Sequence, residues 1–161
     1  MPTIHHLYTS PGHNFFGHHG KAVGEHLIVE HQRIELLAGR GIEGDRFLDF
    51  KDGYKGQITF IDQQIVEAVR SHTATPGLPA SSFRRNVVTE GLDLNALIGK
   101  RFRLGGVLLE GTEECNPCYW MDQACGTSGT EEFMKGHGGL RCRILESGAL
   151  SSGEIAFDAV C

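Results

Sequence analysis

No apolar run in the 161-residue sequence approaches the ~20 residues needed to cross a bilayer as a helix. The N-terminus shows no charged region leading into an apolar stretch of the signal-peptide kind. These absences make a soluble, cytoplasmic protein without a membrane partner the expectation, and a reducing compartment would leave the five cysteines free or bound to metal. An excess of basic residues is missing too. Lys and Arg number 15 against 20 Asp and Glu, a formal net charge of -5. Nothing therefore draws the whole chain to nucleic acid, whose phosphates need Lys and Arg to displace counterions; only a local basic cluster could bind an anion. Internal repeats are absent. No domain linker is evident either: Thr73–Ser82, with Pro76, Gly77 and Pro79, reads as a loop.

What is present fits one domain over residues 1–161, with hydrophobic content of 40% and charged content of 22%. The 22 glycines lie between apolar runs without a period and imply many tight turns. Short β-favouring runs recur at Thr3–Tyr8, His26–Val29, Arg33–Ala38, Gln57–Ile61, Asn86–Thr89, Arg101–Leu104, Val107–Glu113, Leu140–Leu145 and Glu154–Val160. Several alternate: Phe102 and Leu104 oppose Arg101 and Arg103, and Leu140, Cys142 and Ile144 oppose Arg141 and Arg143. Ile155, Phe157 and Ala159 repeat the device less cleanly. Helices look few and short. Asp62 can cap Gln63–His72, with Ile61 and Val66 as a hydrophobic staple. A barely one-turn helix begins at Asp93, placing Leu94, Leu97 and Ile98 on one face before Gly99, and weaker signals cover Tyr119–Ala124 and Thr130–Lys135. The expectation is a mainly β fold, a closed or nearly closed β-barrel with a few short helices and no βαβ unit.

Four features could carry chemistry. Gly41-Ile42-Glu43-Gly44-Asp45-Arg46 reads by itself as a turn with an exposed acid–base pair. Arg84-Arg85-Asn86 begins a strand, where adjacent guanidinium groups can grip phosphate but face opposite ways, so one at most points inward. Five of nine histidines fall in His5–His19, and ordinary surface positions explain them better than a metal set, since neighbours on a strand diverge. Cys115-Asn116-Pro117-Cys118 follows a strand and precedes a helix signal. A thiol there would meet unpaired N–H groups and the positive end of a helix dipole, which favour thiolate. Four readings remain open at this point. They are a metal-ligating or sulfur-carrying Cys118, a redox dithiol with Cys115, a zinc site adding Cys125 and a histidine, and buried thiols without chemistry.

Taken in order, the segments resemble the MOSC family, named for the C-terminal domain of molybdenum cofactor sulfurase. The resemblance rests on Ala38-Gly39-Arg40-Gly41-Ile42-Glu43-Gly44-Asp45-Arg46-Phe47, on Gln57-Ile58-Thr59-Phe60-Ile61-Asp62 and on Arg84-Arg85-Asn86-Val87-Val88-Thr89-Glu90-Gly91. It continues through Asp93–Phe102, the Cys115–Cys118 run and His137-Gly138-Gly139-Leu140-Arg141, so that residues 38–160 are covered. It implies a pyruvate-kinase-barrel-like fold and a link to the molybdenum cofactor, with Cys118 as the catalytic or metal-ligating residue. A molybdopterin-type cofactor would be bound by Gly44, Asp45, Arg46, Arg85, Asn86 and Arg141, because pterin phosphate and an oxyanionic metal centre are both anionic. The implied function is sulfur carriage or metal ligation by the thiolate. A small molybdenum-dependent oxidoreductase is the alternative, and a zinc-stabilised interaction module a distant one. These 161 residues hold no pyridoxal-phosphate desulfurase domain, so that cofactor is not expected to be anchored here, and a separate sulfur donor or a molybdoenzyme client is the expected partner.

Cys118 is expected to be the most reactive of the five thiols and Cys142, on the apolar face of a strand, inert. Limited alkylation from pH 5 to 9, read by mass spectrometry, checks this. Earlier labelling of Cys115 or Cys125 at low pH would show that Cys118 is not the working residue.

Overall fold

The protein is described by a computed structural model over residues 1–11, 28–116 and 129–160. Strands β1 (Thr3–Thr9), β2 (Val29–His31), β3 (Arg33–Leu37), β4 (Gly41–Ile42) and β5 (Ile58–Asp62) come first. Helix α1 (Gln63–His72) and a 3-10 turn at Ala80–Phe83 lead to β6 (Val87–Glu90). A second 3-10 turn at Asn95–Leu97 precedes β7 (Arg101–Leu104) and β8 (Val107–Glu114). Then follow α2 (Thr130–Met134), β9 (Leu140–Glu146), β10 (Gly148–Ser151), β11 (Gly153–Glu154) and β12 (Phe157–Val160). The fold is mainly β with few, short helices. The expected helix at Tyr119–Ala124 lies outside the described residues, as do His26 and Leu27 of the second expected strand. β4 and β10 were not anticipated, the first being too short to show a period.

Eight strands hydrogen-bond in the order β11-β1-β6-β5-β9-β8-β7-β12, with β2 also on β1, and β10-β3-β4 form a separate three-stranded sheet. The expected closed barrel is not formed: no ladder joins β11 to β12 among the described residues. The reason lies in the last chain run. β11 pairs with β1 and β12 pairs with β7, and only Ile155 and Ala156 separate them. The two edges of the sheet are thus successive parts of one extended segment. Bonds from Ile155 N to Pro2 O (3.0 Å) and from Gly105 N to Ala156 O (2.8 Å) hold it to both sides. Covalent chain spans the gap that a ladder would close. In that segment Ile155 packs against the core, but β12 is exposed along its length, so the alternation expected of Phe157 and Ala159 does not bury a face.

A second correction concerns β5 and β6, which are parallel, with α1 in the crossover between them. One βαβ unit is therefore present, and the other strand ladders among the described residues are antiparallel. Its strands are covered on both sides, as parallel strands usually are. Ile58, Phe60 and Val87 enter the main core between the strands, while Ile61 and Val88 join Val66, Val69, Phe83 and Met134 beneath α1. The alternation of β7 and β9 is as the sequence implies, with Phe102, Leu104, Leu140, Cys142 and Ile144 buried. Asp62 caps α1, accepting the N–H of Gln64 at 2.8 Å. Asp93 accepts the N–H of Ala96 at 3.3 Å, and Leu94 and Leu97 are buried, but Ile98 is exposed because the turn ends there and the chain extends toward a bridge with Gly111.

Gly139 enters β9 at φ +111°, and a Cβ built on it would stand 1.9 Å from the Phe60 carbonyl oxygen. Gly99, at φ +78°, has open space at the same position. Gly139→Ala should therefore cost roughly 3 kcal/mol or more, backbone strain plus a clash with a central strand, whereas Gly99→Ala should cost about 1–2 kcal/mol from strain alone. Urea unfolding of both variants measures the difference; equal costs would contradict the close approach.

Candidate active site

The segment after β4 folds Asp45 inward. Its side chain is fully buried and accepts the N–H groups of Ser10 (3.1 Å) and Phe47 (3.3 Å). Gly44 makes the turn possible at φ +85° and is itself exposed. Arg46 follows, its side chain 11% exposed, with Nη1 3.3 Å from Asp45 Oδ1 and Nη2 3.3 Å from the Arg84 carbonyl. The turn reading therefore holds for the backbone but not for the side chains: the acid–base pair is interior. Burial pushes the Arg46 pKa down, with Arg85 acting the same way and Asp45 and Cys115 opposing.

Arg84 and Arg85 do not diverge as strand neighbours would. Arg84 caps the Ala80–Phe83 turn in the left-handed region, φ 62°, ψ 22°, before β6 starts. With the chain turned there, both arginines line one small cavity of about 10 Å³ together with Arg46, Asn86, Tyr8, Thr9, Ser10 and Ile28. Their environments differ. Burial, then the neighbouring Arg46, lowers the Arg84 pKa to about 10, with Asp45 opposing. Arg85 is 7% exposed and donates through Nε to Gly138 O, through Nη1 to Phe83 O and through Nη2 to Cys115 O, each at 2.9 Å. It ties three segments together by their carbonyls. Asn86 is equally committed: its Oδ1 accepts Thr59 N (3.0 Å) and Thr59 Oγ1 (3.1 Å), and its Nδ2 donates to Tyr8 O (3.1 Å). Of the residues expected to meet a cofactor, Arg85 and Asn86 thus use their polar atoms inside the fold.

Arg141 projects from β9 on the wet side, its guanidinium 3.4 Å from Glu113 Oε1. Burial acts to lower its pKa, but the charge and hydrogen bond of Cys115, with Tyr54 and Glu113, raise it on balance. Cys115 is a buried free thiol whose N–H donates to Gly139 O at 2.9 Å. Cys142 lies in the core, where burial drives its pKa well up, assisted by Cys115 and Glu110, which fits the expected inertness. Cys118 and Cys125 lie outside the described residues, as do His18 and His19. His5 and His6 face apart onto Glu90 and Glu30, each at 2.7 Å. Sequence reasoning missed Tyr54, which stacks on Phe47 with ring centroids 5.3 Å apart and whose pKa burial raises, with Arg141, Cys115, Arg46 and Glu113 also acting on it. No pattern marks it, though its place in an aromatic run with Phe47 and Phe50 was visible.

A family model described as the MOSC domain matches residues 18–156. The chain belongs to the MOSC family. That family is associated with molybdenum cofactor sulfurase-like proteins. No curated protein matches the sequence. Among solved structures, this MOSC chain resembles the YuaD protein of Bacillus subtilis at TM-score 0.77 and 19% identity, over 100% of this chain and 98% of that one. It also resembles YiiM of Escherichia coli (TM-score 0.64, 19% identity, 97% of this chain and 69% of that one). YiiM of Geobacillus stearothermophilus gives TM-score 0.71 and 15% identity, over 99% and 75%. At these identities the likeness is one of fold.

Neighbouring arginines should respond oppositely to the same change. Arg85→Gln removes donors from three carbonyls and should destabilise the MOSC domain by roughly 3 kcal/mol. Arg84→Gln relieves a desolvated charge beside Arg46 and should leave the thermal midpoint unchanged or raise it. Because the folded pKa of Arg84 is lowered, its cost is fully present below about 10 and is relieved only as pH rises beyond that value. The contrast between the variants should therefore be constant from pH 6 to 8, which calorimetric melting tests.

Proposed function

We propose that this chain, acting as a single cytoplasmic MOSC domain, binds a molybdopterin-type cofactor at the arginine crevice and uses the Cys118 thiolate for sulfur carriage or metal ligation. The supporting observation is that Arg46, Arg84 and Arg85 line one cavity while Arg46, Arg85 and Arg141 also interact with Cys115, at the start of the Cys115–Cys118 run, in a chain of net charge -5.

The donor set suits an anion. Burial has stripped water from Arg46 and Arg84, and each lowers or is lowered by a neighbouring guanidinium. An anion in the crevice would offset that mutual repulsion. The two hydrogen bonds of Arg46 are long, 3.3 Å each against 2.9 Å for those of Arg85, and its guanidinium lies 4.7 Å over the Phe47 ring, so a ligand would displace weak bonds from a guanidinium that the ring still positions. In this reading Arg46 and Arg84 hold the phosphate, Gly44 and Asp45 aim Arg46, and Arg85 and Asn86 keep the surrounding segments in place. Arg141 stands by the thiol side of Cys115. The group, when bound, supplies a molybdenum centre for redox or sulfur chemistry. A thiolate from the adjoining run is the soft ligand or sulfur carrier that such a centre accepts. Sulfur would come from a separate donor protein and pass to a molybdoenzyme client.

Metal and pterin analysis of protein purified from a molybdopterin-competent host tests the proposal. Molybdenum with bound pterin is expected, lost in Cys118→Ser and reduced in Arg46→Gln without loss of fold. Molybdenum retained together with reductase turnover would favour the small oxidoreductase. One equivalent of zinc without pterin would replace the proposal by a zinc-stabilised module.

A further inference from the structure

The loop between β4 and β5 carries three aromatic rings in mutual contact. Phe47 and Tyr54 stack with centroids 5.3 Å apart, Phe50 meets Phe47 edge-on at 5.3 Å, and Phe50 and Tyr54 lie tilted at 4.9 Å. The loop has no helix or strand of its own, yet it is pinned at several places. Arg40 forks onto Asp49 at 2.9 and 2.7 Å, Arg143 donates to Gly53 O at 3.0 Å, and Thr112 donates to Lys55 O at 2.7 Å. Gly56 ends the loop in the interior. A Cβ built on it would stand 3.3 Å from Tyr54 Cε2 and 3.5 Å from Arg141 Cδ, so the ring and the arginine stem meet over bare backbone.

We infer that this loop is the second half of the binding site begun by the crevice: it takes the planar, fused heteroaromatic ring of a ligand, such as a pterin, whose anionic end lies on Arg46. The inference rests on the anion reading of the crevice and adds the residues that meet the uncharged part of the ligand. Arg46 joins the two halves. It lines the crevice, and its guanidinium lies 4.7 Å over the Phe47 ring. A guanidinium seated on a ring face keeps its in-plane N–H groups for an anion. Phe47 in turn touches Phe50 and Tyr54, so aromatic surface runs on from the point where charge would be held. Phe50 is 49% exposed at the end of that surface.

Charge favours the same occupant. Lys51 stands 5.9 Å over the Tyr54 ring, and Asp49, the acid beside Phe50, is already engaged by Arg40. An apolar peptide would gain from the rings and not from these cations, and an aliphatic anion from the cations and not from the rings. A planar anion gains from both. Because the loop is tethered before any ligand arrives, stacking a ring on it costs little ordering.

Pterin-6-carboxylate, a fluorescent planar anion, and inorganic pyrophosphate, an anion without a ring, test the two halves separately on the full chain. Pterin-6-carboxylate is expected to bind with quenched fluorescence and with amide shifts at Phe50, Lys51 and Gly53. F50L keeps an apolar side chain and removes the ring; it should weaken the pterin roughly fivefold and leave pyrophosphate unchanged, while F50Y binds both as the unaltered chain does. Should F50L fail to fold, F50A, with a loss of roughly tenfold, takes its place. Arg46→Gln should weaken both probes. Pterin affinity unaltered by loss of the Phe50 ring, shifts that leave the loop untouched, or no binding of pterin-6-carboxylate would overturn the inference. Pyrophosphate binding that persists in those cases leaves the anion reading standing, whereas pterin binding that needs the Phe50 ring without any pyrophosphate binding supports the ring site and counts against the anion reading alone.

Discussion

The guanidinium of Arg85 is the contact on which the site depends. Its three donors reach the carbonyls of Phe83, Cys115 and Gly138, which belong to the turn before β6, the end of β8 and the approach to β9. These segments are 30 and 53 residues away in sequence for the latter two, and no ladder connects all three. A planar, permanently charged fork can satisfy three carbonyls in fixed directions, which a lysine ammonium on a flexible stem cannot. The buried charge is tolerated because every bond is short and the acceptors are backbone dipoles. Position and strain follow from it: Arg84 must take the left-handed conformation for Arg85 to enter the interior at that point.

Asn86 extends the same logic one residue further. Arg85 fixes loops, and Asn86 fixes strands by bonding to Thr59 of β5 and the Tyr8 carbonyl of β1. Tyr8 N in turn donates to Asn86 O at 2.7 Å. The pair makes the start of β6 the junction between sheet and site. In the proposed reading that junction is a rigid base for the arginines beside it, since donors gain most when they need no reorganisation. Arg46 is held less tightly by hydrogen bonds, at 3.3 Å each, and is seated over the Phe47 ring.

Much of the fold was legible because most of its strands bury one face. The alternations in β7 and β9 and the Asp62 cap of α1 can be read directly from residue order. The parallel pairing of β5 and β6 cannot, since strands covered on both sides show a continuous apolar run without a period. Barrel closure also failed at a specific place: Glu154–Val160 reads as one strand, whereas Ile155 and Ala156 carry it from one sheet edge to the other. At the site, residue type picked out Arg46, Arg85 and Asn86, which the fold brings to one small cavity, but not the partners each of them takes. Whether an arginine faces a ligand or a carbonyl is decided by the conformation of one residue, here Arg84 at φ 62°, and by partners 30 or more positions away. The tie of Tyr54 to the site was hidden for the same reason, because Arg141 and Cys115, which act on it, are distant in sequence.

Two cavities of opposite character are joined through the Gly138-Gly139 peptide: Arg85 of the basic one bonds the Gly138 carbonyl, and Gly139 lines the acidic one. On one side stand Arg46, Arg84 and Arg85; on the other stand Asp62 and Asp93. Each side is held by its own framework. The fold supplies two: Asp45 and backbone carbonyls for the arginines, and the amino ends of helical turns for the aspartates. Glycine at position 139 lets the dividing wall be a bare backbone, because any side chain would meet the Phe60 carbonyl. That wall is thin, hydrogen-bonded to Cys115 on the basic side, and open to the acidic cavity on the other. A shift of the Gly138-Gly139 peptide by a few tenths of an ångström would therefore reach the Arg85 bond and the Cys115 N–H together, since both acceptors sit on adjacent residues.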